Sequence, residues 1–149
     1  GWISRNTGGR LKKLPSAQPL NPEWKTAMTA RFELRARYIE GWYELDAEKL
    51  VAAASSDFIF DDPAETSPVN KESLAQYMVR WDARTRLLGA TNVWSLSDEV
   101  RQDNNGILTD WEWWELKGTE LCGMAIVKTR NDGVFLERIT YFDRAQQKG

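Results

Sequence analysis

Asp62 is the residue whose surroundings best suit acid–base chemistry. The segment Asp57-Phe58-Ile59-Phe60-Asp61-Asp62-Pro63 reads as a short strand stopped by proline, and a period of two places Phe58, Phe60 and Asp62 on one face. Carboxyl groups among aromatic rings hold their protons more tightly than in water, which a proton-abstracting base requires. Asp62 is therefore the candidate base, against the plainer role of closing the strand or capping the turn after it. Tyr38 is the second candidate: on the inner stripe of a helix, its phenol can donate to a ligand oxygen or to a backbone carbonyl.

The segment Thr109-Asp110-Trp111-Glu112-Trp113-Trp114-Glu115-Leu116 alternates so that Trp111, Trp113 and Glu115 share one face and Asp110, Glu112, Trp114 and Leu116 the other. Each face combines Trp with an acid. Trp111 and Trp113 are candidates to line a pocket for a flat, apolar ligand, and the competing reading packs this sheet against a second subunit. Phe58, Phe60, Trp42, Met78, Trp81 and Ala125 complete the expected lining. Arg138 and Asp143 read as a surface pair or an edge charge, and Cys122, between Leu121 and Gly123, as core.

Composition narrows the chemistry. The 149 residues include eight Trp, one Cys and no His, with a net charge of −2. Without histidine there is no Ser–His or Cys–His pair, no His-ligated metal and no imidazole base. A lone Cys excludes an intrachain disulfide. Carboxylates, Tyr, Arg, Lys and backbone groups remain, and proton transfer by a carboxylate needs neither a metal nor an organic cofactor. The slightly acidic balance argues against nucleic acid, and no apolar run is long enough to span a membrane. The default expectation is a cytoplasmic protein.

The elements that must position these residues follow from periodicity. Residues 1–20 lack a period and read as an extended arm, with a single domain over 21–149. Asn21-Pro22-Glu23 is a helix start, and Trp24, Met28, Leu34, Tyr38, Trp42 and Leu45 form its apolar stripe. Asp46 caps a second helix over 47–54. Asn70 caps a third, with Leu74, Tyr77, Met78, Trp81 and Leu88 inward and Lys71, Arg80 and Arg84 in solvent. Strands follow at about 93–101, 107–117, 120–129 and 134–142, separated by Asn104-Asn105-Gly106, Lys117-Gly118 and Asn131-Asp132-Gly133. Helices first and a meander last predict an α+β fold, with helices on one face of a twisted antiparallel sheet and a concavity between them.

The stretches Arg37-Tyr38-Ile39-Glu40 and Phe60-Asp61-Asp62-Pro63 resemble the first half of ketosteroid isomerase, within the nuclear transport factor 2-like, or SnoaL-like, superfamily. The closing Glu137-Arg138-Ile139-Thr140-Tyr141-Phe142-Asp143 is similar to the last strand of SnoaL-like proteins. The resemblance covers residues 24–143 in element order. It implies a cone-shaped curved sheet wrapped on three helices, a cystatin-like α+β barrel, with Asp62 as proton shuttle and Tyr38 as oxyanion donor. Ala125 falls where the isomerase carries its second oxyanion donor, an Asp that its apolar surroundings keep protonated. The epoxide-hydrolase pattern of the superfamily wants Arg-x-Asp on a middle strand and Asp on the last, where this chain has Asp110-Trp111-Glu112 and Thr140 instead, and its dehydratase pattern depends on a His this chain lacks.

Two functions are expected. The first is an enzyme of the isomerase, cyclase or dehydratase type, moving a proton next to the carbonyl of an apolar cyclic substrate through Asp62 and Tyr38. The second is a non-catalytic ligand-binding or assembly module on the same fold. The expected assembly is a homodimer through the outer sheet face, because Trp94 or Trp114 would otherwise be exposed; mass in solution tests it.

Overall fold

A computed structural model describes residues 2–7, 10–13, 22–90 and 94–143, with side chains described from Thr29 to Ala90 and from Trp94 to Phe142. The chain runs β1 (Trp2–Thr7), β2 (Arg10–Lys13), α1 (Pro22–Glu44), α2 (Ala47–Ala53), β3 (Ala54–Asp61), β4 (Val69–Asn70), a 3₁₀ turn at Lys71–Ser73, α3 (Leu74–Leu87), β5 (Trp94–Asn104), β6 (Ile107–Leu116), β7 (Leu121–Arg130) and β8 (Gly133–Asp143). One eight-stranded sheet has the order β2-β1-β5-β6-β7-β8-β3-β4. Neighbouring strands are antiparallel except β3, which runs parallel to β8. The fold is the expected α+β one.

Local chemistry sets the boundaries. Asp46 accepts from the Lys49 backbone N–H at 3.1 Å, capping α2. Asn70 and Ser73 form a reciprocal capping box. Asn105 and Gly106 both have positive φ, 53° and 77°, the backbone a tight hairpin between β5 and β6 requires. Gly123 is required for a different reason. A Cβ on it would lie 1.8 Å from the Thr140 carbonyl oxygen and 2.8 Å from the Trp114 ring, so β7 approaches β8 there only without a side chain.

Several expectations need correction. Within the expected arm, Trp2–Thr7 and Arg10–Lys13 form strands instead, and β1 pairs antiparallel with β5 to extend the sheet. Leu88 does not join the inner stripe of α3; it follows the helix and is largely exposed. Arg84 leaves the solvated face to reach Asp62. Trp114 belongs to the buried face of β6 rather than to the outer one. Cys122 is buried as expected, and Arg138 bonds Asp61 at 2.9 Å as a surface pair. Asn21 and the side chains of Trp24, Met28 and Asp143 lie outside what is described. Among the described residues, no helix is long and apolar enough to cross a membrane.

The core between helices and sheet is aromatic. Trp42 on α1 meets Phe60, Tyr77 and Trp81 at ring-centroid distances of 5.8, 6.0 and 5.9 Å, the last two edge-on. Such tilted arrangements set the positive ring edge against a neighbour's negative face. They join α1, β3 and α3 around one side of the concavity.

Candidate active site

The inward stripe of α1 is only partly apolar. Arg31 and Arg35 share it with Tyr38 and Trp42, at helical spacing, and all four are buried. Arg31 holds Asp103 through two bonds of 2.6 and 2.7 Å. Arg35 donates to Asp110 at 3.0 Å and also bonds Glu112. Arg101 on β5 closes on Asp110 from the other side at 2.6 Å. Three guanidinium groups thus face Asp103, Asp110 and Glu112. Buried charges persist only when paired in this way.

Glu137 on β8 is different. It is buried, its Oε1 accepts from the Tyr38 hydroxyl at 2.5 Å, and among the described residues no guanidinium is bonded to it. Burial pushes its carboxyl from 4.5 up to about 7, against the opposing help of the Tyr38 bond and of Arg35; the charge of Asp62 adds to the rise. Tyr38 is itself held well above its ordinary range by burial and then by Glu137, so it stays a phenol and a donor.

Glu137 faces inward because of an irregularity. β8 pairs Leu136 with Lys128 and Val134 with Thr129, leaving Phe135 as an extra residue. This β-bulge shifts the alternation, so that Val134 and Glu137, three apart, are both buried. A regular strand starting from Val134 would have turned Glu137 outward.

Arg35, Tyr38, Glu112 and Glu137 are the charged and polar part of the wall of an open cavity. Ile39, Trp42, Phe60, Tyr77, Trp81, Trp94, Trp114, Ala125 and Ile139 make up the rest, and the space is about 550 Å³ counted out to its solvent-open mouth. The chemistry of the wall is that of a small-molecule site: largely apolar, with a few convergent polar groups. Of the expected lining, Trp42, Phe60, Trp81 and Ala125 are present, as is Tyr38. Phe58 and Met78 are buried core outside the wall. Trp111 and Trp113 lie on the opposite face of β6, while Trp114 and Trp94 take up the aromatic lining.

Asp62 is buried on the expected face but does not line the cavity. It accepts from the hydroxyls of Tyr77 at 2.7 Å and Tyr141 at 3.0 Å, from the Ala64 backbone N–H at 2.8 Å and from Arg84 at 3.3 Å. Its lone pairs are committed to the loop and the helix around it, and Tyr38 bonds Glu137 rather than Asp62. This corrects the expected pairing of Asp62 with Tyr38. Tyr77, whose proton goes to Asp62, is raised far above its ordinary range by burial and by that bond.

Among the described residues, Glu99, Asp110 and Glu112 bring carboxylate oxygens within 4.8 Å of one another, as a cation site would. Arg35 and Arg101 already neutralise them, so the cluster reads as an ion-pair network.

No family model and no curated relative matches the chain. Its fold does match solved structures. An NTF2-like protein from Anabaena variabilis aligns with a TM-score of 0.61 at 12% identity, over 85% of this chain and 96% of that one. A protein of unknown function with a cystatin-like fold, from Nostoc punctiforme, gives 0.55 at 18%, over 84% and 96%. A candidate SnoaL-like polyketide cyclase from Shewanella putrefaciens gives 0.53 at 12%, over 90% and 96%. At these identities the likeness concerns the fold, and this chain has the cystatin-like fold shared by NTF2-like and SnoaL-like proteins.

Proposed function

We propose that the protein binds an apolar, cyclic, carbonyl-bearing small molecule in this cavity and moves a proton next to the carbonyl, with Glu137 as proton carrier and Tyr38 as the residue that orients it. The supporting observation is the buried Glu137–Tyr38 pair in an otherwise apolar wall, with the acid poised at about 7. A group with that proton affinity is present as both base and acid near neutral pH, as a shuttle must be. In the step proposed, the Glu137 carboxylate takes a proton from the carbon beside the carbonyl. The C–H electrons form the enol double bond, negative charge moves to the oxygen, and the carboxylic acid returns the proton to the same or another carbon. Tyr38 keeps its bond to Oε1 throughout, which fixes the carboxyl plane; among the described residues nothing is bonded to Oε2.

Chroman-4-one, a fused-ring ketone with exchangeable C3 protons, is a suitable probe. The wild-type protein is expected to accelerate exchange of those protons with D₂O, followed by NMR. Glu137→Gln is expected to reduce the acceleration by about 10²–10⁴-fold while chroman-4-one still binds. Binding without exchange in the wild type would instead favour a ligand carrier. The proposal includes a homodimer through the outer sheet face, where half-buried Trp111 and Trp113 lie beside Met124 and Ile126.

A further inference from the structure

Carboxyl groups outnumber the cations that reach them around the cavity. Among the described residues five are buried, Asp62, Asp103, Asp110, Glu112 and Glu137, and four guanidinium groups bond to them, those of Arg31, Arg35, Arg84 and Arg101. The first four acids each have at least one of these cations. Glu137 has the Tyr38 hydroxyl, on one oxygen. Its carboxylate is therefore a buried charge with no cation bonded to it, an arrangement that a partner of opposite charge would complete.

The rest of the wall suits a cation of one kind. Four of its residues are Trp: Trp42 from α1, Trp81 from α3, Trp94 from β5 and Trp114 from β6. Trp42 stands at 70° to Trp81 and at 82° to Tyr77, so these rings meet as the sides of a box do rather than as a stack. Aromatic faces carry the negative end of the ring quadrupole and attract cations, indole most strongly. A primary ammonium would bring three N–H donors and a tightly held water shell against a wall that is mostly carbon. Alkyl groups on the nitrogen remove those donors and leave the charge.

We infer that the cavity binds an alkylated ammonium group, with the aromatic wall around its alkyl carbons and the Glu137 carboxylate as its counter-ion. This rests on the binding half of the proposed function, for which it names a charged group that the otherwise apolar ring system carries, and not on catalysis. The groups facing Glu137 are Tyr38 and Arg35 from α1, Asp62 after β3, Tyr77 from α3 and, in the same wall, Glu112 from β6. In those surroundings the Glu137 carboxyl keeps its proton up to about 7, so the cation is held more tightly as pH rises through that value.

Choline, 3,3-dimethylbutan-1-ol and ethanolamine separate charge from shape. The alcohol has carbon in place of the choline nitrogen, and ethanolamine keeps the charge without the methyl groups. Titration of the wild-type protein at pH 8 is expected to show choline bound about tenfold or more tightly than either. From pH 8 to pH 6 the affinity for choline should fall severalfold, while that for the alcohol stays within about twofold. Glu137→Gln should abolish this pH dependence. Trp81→Leu and Trp94→Leu, at half-buried positions, should each weaken choline about three- to thirtyfold more than the alcohol, the scale of a cation–π contact. The wild-type comparisons stand whatever the variants do to folding. Equal affinity for choline and the alcohol, or for choline and ethanolamine, overturns the inference, as does a preference kept at full strength in all three variants. Chroman-4-one tests the cavity itself: if it binds and choline does not, the inference falls and the binding reading stands, and if neither binds, both fall. Choline preference without proton exchange into chroman-4-one supports the inference and removes the catalytic half of the proposed function.

Discussion

The Tyr38 hydroxyl of α1 and the Glu137 carboxylate of β8, 99 residues apart in sequence, meet at 2.5 Å in the wall of the cavity. The bond ties the helix to the last strand at the point where the sheet bulges. It also stabilises the charged form of an acid that burial disfavours, and burial prevails.

That balance makes stability depend on pH. Glu137 binds its proton more tightly in the folded state, at about 7, than at its ordinary 4.5. Between these values the native protein holds more protons than the unfolded chain, so this group's stabilising contribution is present below pH 4.5 and is lost as pH rises to about 7. The loss is about 3 kcal/mol. Urea unfolding at pH 4.5 and pH 8 should show Glu137→Gln gaining about that much relative to wild type at the higher pH. No relative gain would mean that the carboxyl is not buried as described.

Asp62→Asn should separate structure from chemistry. The amide cannot accept from all four donors now bonded to the carboxylate, and a loss of about 1–3 kcal/mol is expected. Proton exchange into chroman-4-one should persist within about tenfold. Its pH dependence should move to lower values, because a charge that raises Glu137 has been removed. A loss of exchange as deep as that of Glu137→Gln would return the base role to Asp62.

Arg35→Leu leaves Asp110 and Glu112 with less compensation in the interior, and about 3–5 kcal/mol of stability should be lost. Arg130→Ala removes an exposed pair with Asp57 and should leave the urea midpoint close to wild type. Equal effects of the two substitutions would contradict the burial contrast.

Gly123→Ala drives a methyl group into the Thr140 carbonyl, which is backbone and cannot swing aside. At least about 3 kcal/mol of destabilisation is expected, with faster hydrogen exchange along β7 and β8. A variant as stable as wild type would mean that the strands lie farther apart at Gly123 and Thr140 than described.

Much of this architecture was legible in the sequence because its signals are local. The turns at Asn105-Gly106 and Asn131-Asp132-Gly133, the caps at Asp46 and Asn70, and the alternation of β6 all depend on neighbouring residues. The site was legible only in part. Tyr38 and Trp42 follow from the stripe of α1, but Arg31 and Arg35 look like solvent positions until Asp103, Asp110 and Glu112 are brought opposite them. Glu137 was missed for a more specific reason: the bulge at Phe135 changes the parity of β8, and nothing in Phe135-Leu136-Glu137 announces an extra residue. The one available signal was that Glu137 shares parity with Ile139 and Tyr141. The commitment of Asp62 was equally hidden, since Tyr77, Arg84 and Tyr141 reach it from 15, 22 and 79 residues away.

The parallel pairing of β3 with β8 has a kinetic consequence. Asp61 lies beside Arg138 and Phe60 beside Glu137, so nearly eighty residues of chain must be in place before this half of the sheet closes. Loops of that length are slow to form. During synthesis the acid of the cavity emerges 99 residues after Tyr38, and until then the aromatic wall stays open. The cavity cannot be assembled from its helices and first strands alone: it is completed only when β8 docks.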